Sequence, residues 1–196
     1  NPENPVYSFT GQQFAGSDPT WLDAVQEEFA NGTTAQIDIV PDYKKETGEV
    51  TATCTVRSAL NLSSQSLSLL GIITENKLIT YQENYRYTST DPIFGEWGEG
   101  GAYGSKLVYP YETNDVARGC YGTTLNGTGG LLPADLKAGE SYTANIGGPL
   151  PSNVDNPANC VFNVLLIDTN TNRIINAAAK ELTEGGSVES IGAGGN

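Results

Sequence analysis

The chain has 196 residues, with 10 Lys and Arg against 23 Asp and Glu, no His, no Met, three Cys, 23 Gly and 10 Tyr. That length suits one ordinary domain or a domain with a small appendage, and the net charge of −13 argues against nucleic acid as a partner, because phosphate binding needs concentrated Lys and Arg. Without His there is no Ser-His-Asp or Cys-His pair and no imidazole metal ligand.

Residues 1–16 contain Pro2, Pro5, Gly11 and Gly16 and are expected to run extended. A helix follows, capped by Asp18, with Pro19 at its first position and Asn31-Gly32 at its end. Trp21, Leu22, Val25 and Phe29 fall on one stripe of that helix, as expected if it packs on a sheet.

From residue 34 the period changes to two. Ala35, Ile37 and Ile39 alternate with Gln36, Asp38 and Val40, and Pro41 is expected to end the strand. Val50, Ala52, Cys54 and Val56 alternate with Thr51, Thr53, Thr55 and Arg57, the pattern of a half-exposed antiparallel strand with Cys54 facing the core. Leu67, Leu69 and Ile72 open a third strand and Lys77–Gln82 form a fourth, with Glu75-Asn76 as the turn between them.

Residues 83–104 interrupt the pattern. Tyr85, Tyr87, Phe94, Trp97 and Tyr103 lie among Gly95, Gly98, Gly100, Gly101 and Gly104 in a loop of about 20 residues, a length often tied to function or mobility. Further strands are expected at Lys106–Tyr111, around Cys120–Leu125 and at Glu140–Ile146, with one helical turn at Pro133–Ala138. Val161–Asp168 and Arg173–Ala179 flank the turn-forming tetrad Thr169-Asn170-Thr171-Asn172. The reading is a mainly β protein: an immunoglobulin-like antiparallel β-sandwich with one N-terminal helix. Its parts are a lead-in and helix at 1–33 packed on the sheet, a sandwich at 34–183 and a Gly-rich tail at 184–196.

The residues that carry chemistry are few. Cys120 and Cys160 each sit near an element end and are the expected disulfide pair, with three reduced, buried cysteines as the alternative. Asp168, Asn170 and Asn172 spell the first half of a calcium loop, but its Gly and distal Glu are missing, and a hairpin turn selects the same residues. Glu96 and Glu99 flank Trp97, yet a Gly-rich loop is a poor scaffold for two catalytic carboxylates. No catalytic residue, metal or cofactor is assigned. Tyr85, Tyr87, Phe94, Trp97 and Tyr103, with Arg118, are the candidate binding residues, for an unidentified protein or glycan ligand.

Ile72-Ile-Thr-Glu75, Leu78-Ile-Thr-Tyr-Gln82 and Asn114-Asp-Val-Ala-Arg118, followed by Val161–Asp168 and Ile174–Ala177, are similar in order to another pattern. They resemble the C-terminal part of the Bacteroidetes outer-membrane surface-protein family named for a 28-kilodalton antigen. That family shows a His-Asn-His cluster before the Arg, where this chain has Thr113-Asn114-Asp115. The resemblance implies an exported, outer-membrane or cell-surface module, with a periplasmic location as a variant. Adhesion or receptor binding is implied as its role, with no enzymatic activity. The resemblance implies that any membrane association would run through a lipid anchor outside the chain. Members often carry a thioredoxin-like domain, and no CxxC pattern occurs here. Alternative readings are an accessory domain of a thioredoxin-like periplasmic protein, a glycan-binding module, a glycan hydrolase or a structural spacer.

Overall fold

The computed structural model describes residues 6–7, 13–14, 20–63 and 66–184. The chain divides into a compact unit at Asn1–Thr34 and a second at Ala35–Asn196. In the first, β1 (Val6–Tyr7) pairs antiparallel with β2 (Gln13–Phe14), and α1 spans Thr20–Asn31. Asp23 lies in the first turn of α1, where a carboxylate favours the exposed peptide N–H groups. Gly32, at φ +62°, ends the helix in the left-handed conformation that glycine adopts without a Cβ penalty. The expected cap Asp18-Pro19 and the tail from residue 185 lie outside the described residues.

The second unit is mainly β, as its alternation requires. One sheet has the order β12 (Ser141–Pro149), β4 (Glu49–Ser58), β3 (Ala35–Lys44). In the other, β6 (Leu67–Glu75) pairs along one side with β13 (Cys160–Asp168), which in turn pairs with β14 (Arg173–Glu181). Along its other side β6 pairs with β9 (Val116–Tyr121) and β10 (Thr128–Gly129). Every one of these pairings is antiparallel. A minor ladder joins β5 (Leu62–Ser63) to β11 (Asp135–Leu136), the segment the sequence suggested as a helical turn.

Strand β4 follows its pattern without exception, with Val50, Ala52, Cys54 and Val56 fully buried and the intervening residues exposed. They face a second inner row from β13 (Phe162, Val164, Leu166) and β6 (Leu69, Ile73), and the two rows form the core. In that row Gly71 stands directly opposite Tyr121, and a Cβ on it would lie 3.0 Å from the Phe162 ring and 3.3 Å from that of Tyr121. Its missing side chain leaves room for those two rings to stack, 5.6 Å apart and 13° from parallel. Burial and the negative charge of Glu49 and of the Cys160 thiolate push the Tyr121 hydroxyl up to about 12.

Pro41 does not end β3, which runs on to Lys44. The strand is at the edge of its sheet, and its odd-numbered peptide groups face away from β4: Tyr43 N–H donates outward to Thr183 O at 3.1 Å, and Ala35 O accepts from Asn176 Nδ2 at 3.0 Å. The N–H that proline lacks would have pointed to that outer edge, so no ladder bond is lost. These contacts and the Lys180–Asp38 ion pair at 2.9 Å close one side of the sandwich. The hydrogen bond from Lys180 holds the Asp38 carboxyl below its usual range.

The expected Cys120–Cys160 disulfide is absent, and all three cysteines are free thiols. Cys120 lies opposite Ile72 on one side of β6, and Cys160 opposite Glu75 on the other. Two strand spacings of about 4.8 Å and an offset of three register positions separate the pair, beyond the Cα distance that a disulfide spans. Of the alternative, three reduced and buried thiols, the reduced state holds throughout and Cys54 and Cys160 are buried, while Cys120 is exposed.

Candidate functional site

The strand after β6 does not fold back on it. β7 (Leu78–Glu83) pairs with β8 (Leu107–Thr113) in a two-stranded antiparallel ribbon that joins neither main sheet. Since β6 pairs with β9, the four strands make one long ribbon, sandwiched along β6–β9 and bare along β7–β8. Glu75-Asn76 marks a bend in this ribbon and not the reversal expected from the sequence.

Both strands bend at the same level. Lys77 and Asp115 take φ of +61° and +57°, and each strand braces the other with an asparagine. Lys77 N–H donates to Asn114 Oδ1 and Asp115 N–H donates to Asn76 Oδ1, both at 2.8 Å. Asn114 and Asp115, with Asn76 and Lys77, therefore form the joint of an arm.

At this joint sits Glu75, fully buried at the end of the inner row. Its Oε2 accepts from Arg118 Nε at 2.8 Å and from Asp155 N–H at 3.1 Å, and its Oε1 accepts from Asn156 N–H. Arg118 also pairs with Asp155 at 3.1 Å. A carboxylate this enclosed needs such partners, and Arg118, expected as a binding residue, is committed to supplying one. Neighbouring Cys160 has its thiol pushed up to about 11, first by burial and then by Glu75, against an opposing pull from Arg118.

The loop that closes the arm is packed. Asn84, 3% exposed, donates through Nδ2 to Trp97 O and Tyr103 O, both at 2.7 Å, and accepts from Arg86 N–H. Trp97, Tyr103 and Tyr111 form a ring cluster with centroids 5.0–6.1 Å apart. Backbone passes so close that a Cβ on Gly101 would sit 2.3 Å from Glu96 O. Pro92–Trp97 form two 3-10 turns kinked at Gly95, the first capped by Asp91, and Arg86 lies 4.9 Å over the Phe94 ring. Of the candidate aromatics, Trp97 and Tyr103 thus form the arm's own small core and Phe94 is partly covered. Tyr85 and Tyr87 are exposed, and Tyr85 donates to Glu83 Oε2 at 3.0 Å, a bond that raises its hydroxyl above the usual range.

A contiguous exposed apolar surface lies on the strands. Ile79, Tyr81, Leu107 and Tyr109 share one face of the ribbon and are each 57–64% exposed. Tyr81 and Tyr109 stack with centroids 4.3 Å apart, 22° from parallel. The opposite face carries Thr80, Val108, Tyr111 and Thr113 and is the one packed against the loop cluster, with Thr80 and Thr113 hydroxyls hydrogen-bonded at 2.6 Å.

The remaining motifs resolve locally. Asp168 caps its own hairpin turn, Oδ1 accepting from Asn170 N–H and Oδ2 from the Thr171 hydroxyl, both at 2.9 Å. A shallow groove of about 400 Å³ opens between β9 and β12, lined by Cys120, Tyr121, Leu131 and Gly147–Pro149.

Fold and site together define an antiparallel β-sandwich that extends one strand pair into a bent, aromatic-faced arm. No family model matches the chain, and no curated protein matches it. It is similar to a solved structure, HBP35 of Porphyromonas gingivalis, at a TM-score of 0.57 and 14% identity over 88% of this chain and 49% of that one. At that identity the likeness is one of fold, shared with a protein from the Bacteroidetes. The chain spans about half the length of HBP35.

Proposed function

We propose that the protein is a non-enzymatic binding module of an exported, surface-associated bacterial protein, and that the β7–β8 arm is its contact surface. The observation that carries this reading is the exposed Tyr81–Tyr109 stack between Ile79 and Leu107, on a ribbon that no other strand joins among the described residues. Large aromatic side chains concentrate binding energy where they are held rigidly, and these two brace each other. Support for export and surface association comes from the low charge density, the Thr- and Asn-rich strands and the fold shared with a Bacteroidetes protein. A protein ligand fits the stack better than a glycan. The two rings cover one another's inner faces, whereas a sugar platform presents its faces side by side.

The test is binding of the labelled protein to immobilised host-surface proteins, to a glycan array and to intact epithelial cells. Tyr81→Ala/Tyr109→Ala should lower retention on the bound protein at least tenfold while the sandwich keeps its melting temperature. Undiminished binding would move the contact surface elsewhere, and retention on glycans alone would replace the protein ligand.

A further inference from the structure

We infer that the arm takes its partner by strand addition along β7, and that the partner is an extended segment of another protein with a cation placed beside apolar residues. This rests on the arm being the contact surface and specifies how it is used.

The two edges of the ribbon differ. Asn84 N–H donates across to Lys106 O at 2.9 Å, so by strict alternation Gln82, Thr80 and Leu78 turn their peptide groups toward β8. Ile79, Tyr81 and Glu83 turn theirs outward, and among the described residues no strand pairs with that edge. The irregularity in the ladder falls on β8, where Tyr109 and Pro110 together face the single residue Tyr81. That edge is broken by a bulge and a proline, two devices that block strand pairing. β7 is regular and without proline, and its outward groups at Ile79 and Tyr81 are open, while Glu83 O accepts from the Gln82 side-chain amide at 2.9 Å.

An isolated two-stranded ribbon is marginally stable in water, and a third strand completes both its hydrogen bonding and its apolar face. A strand laid on β7 places alternate side chains beside Ile79, Tyr81 and Glu83, and the others beside Leu78, Thr80 and Gln82. The first set calls for two apolar residues and a cation, the second for small residues such as threonine, which offers a methyl beside Leu78 and a hydroxyl beside Thr80 and Gln82.

Charge selects between occupants. Residues 76–115 carry six carboxylates (Glu83, Asp91, Glu96, Glu99, Glu112, Asp115) against Lys77, Arg86 and Lys106, within a chain of net charge −13. A second copy paired antiparallel about Tyr81 would set Glu83 opposite Ile79 and bring two acidic arms together. A cationic strand from another protein meets no such repulsion.

The probe is a short capped peptide in which threonine alternates with, in order, one lysine and two valines, titrated into isotopically labelled full-length chain. Binding should protect the amides of Ile79, Tyr81 and Glu83 from hydrogen exchange. N-methylation of the peptide amides that face β7 should abolish it, and glutamate in place of lysine should weaken it about fivefold. Ile79→Pro, which deletes one outward N–H at an edge position, should lose at least tenfold more affinity than Ile79→Ala. Equal binding of the N-methylated peptide, or equal losses in the two variants, would overturn strand addition while leaving the Tyr81–Tyr109 surface standing. No binding of the lysine peptide, or a dimer in sedimentation that Ile79→Pro dissolves, would overturn the cationic partner.

Discussion

Glu75 shows how much one residue can fix. It closes the period-two row Leu67, Leu69, Gly71, Ile73, so a strict alternation argument already points its side chain inward. A lone carboxylate there is untenable, and the chain answers with one guanidinium and two peptide N–H groups drawn from segments 43 and 80–81 residues away. Glu75→Gln keeps the shape but removes the charge, and it should lower stability by about 3 kcal/mol in urea denaturation. Combined with Arg118→Met the loss should be smaller than the sum of the two single changes, because each alone strands its partner. Additive losses would mean the pair is not coupled.

A second prediction at this scale concerns alkaline pH. Burial raises Cys54 to about 11, and Cys160 and Tyr121 stand at about 11 and about 12 in the fold, against ordinary values of 9.0 for the thiols and 10.0 for the phenol. Above pH 9 the unfolded chain loses protons that the native state keeps, so stability falls with rising pH, from about 9 until the native groups ionise near 11 to 12. Cys54→Val removes one of these groups, and its stability curve should descend less steeply between pH 9 and 11 in a denaturation series. An unchanged slope would assign the fall to other groups.

At the scale of elements, local pattern carried β4, β13 and the Thr169–Asn172 hairpin almost unaltered, because each depends on alternation and turn chemistry within its own segment. It failed at Glu75-Asn76 for a physical reason. The turn signal there is real, since Lys77 does adopt positive φ, but whether a chain reverses or bends depends on the strand beside it. Here that strand bends too, at Asp115, and the two asparagines that lock the joint reach across 37 and 39 residues. The candidate loop shows the same kind of effect. An aromatic, Gly-rich loop reads as a contact surface, whereas Trp97 and Tyr103 are consumed in packing against Tyr111. Tyr81 beside Ile79 was visible as an apolar strand face. That this face stays exposed among the described residues follows from the arm leaving both sheets, which no single strand encodes.

For the whole molecule, the arm is an insertion between two strands that already pair. Glu75 and Val116 stand directly opposite in the β6–β9 ladder, so residues 76–115 can be replaced by an Asn-Gly type I′ turn that closes the same hairpin. The sandwich should survive, because its core rows lie on β4, β6 and β13 and the clamp of Glu75, Arg118 and Asp155 remains on the retained side. Its melting temperature should stay within about 4 °C of the intact chain, the shift that ~1 kcal/mol produces in a domain of this size. Binding should vanish in the same variant, since both the aromatic face and the open strand edge go with the excised segment. A shortened chain that folds and still binds would place recognition on the sandwich. One that fails to fold would make the arm part of the folding unit, with the bend at Lys77 and Asp115 then a structural requirement of the sheet and not the root of an appended contact surface.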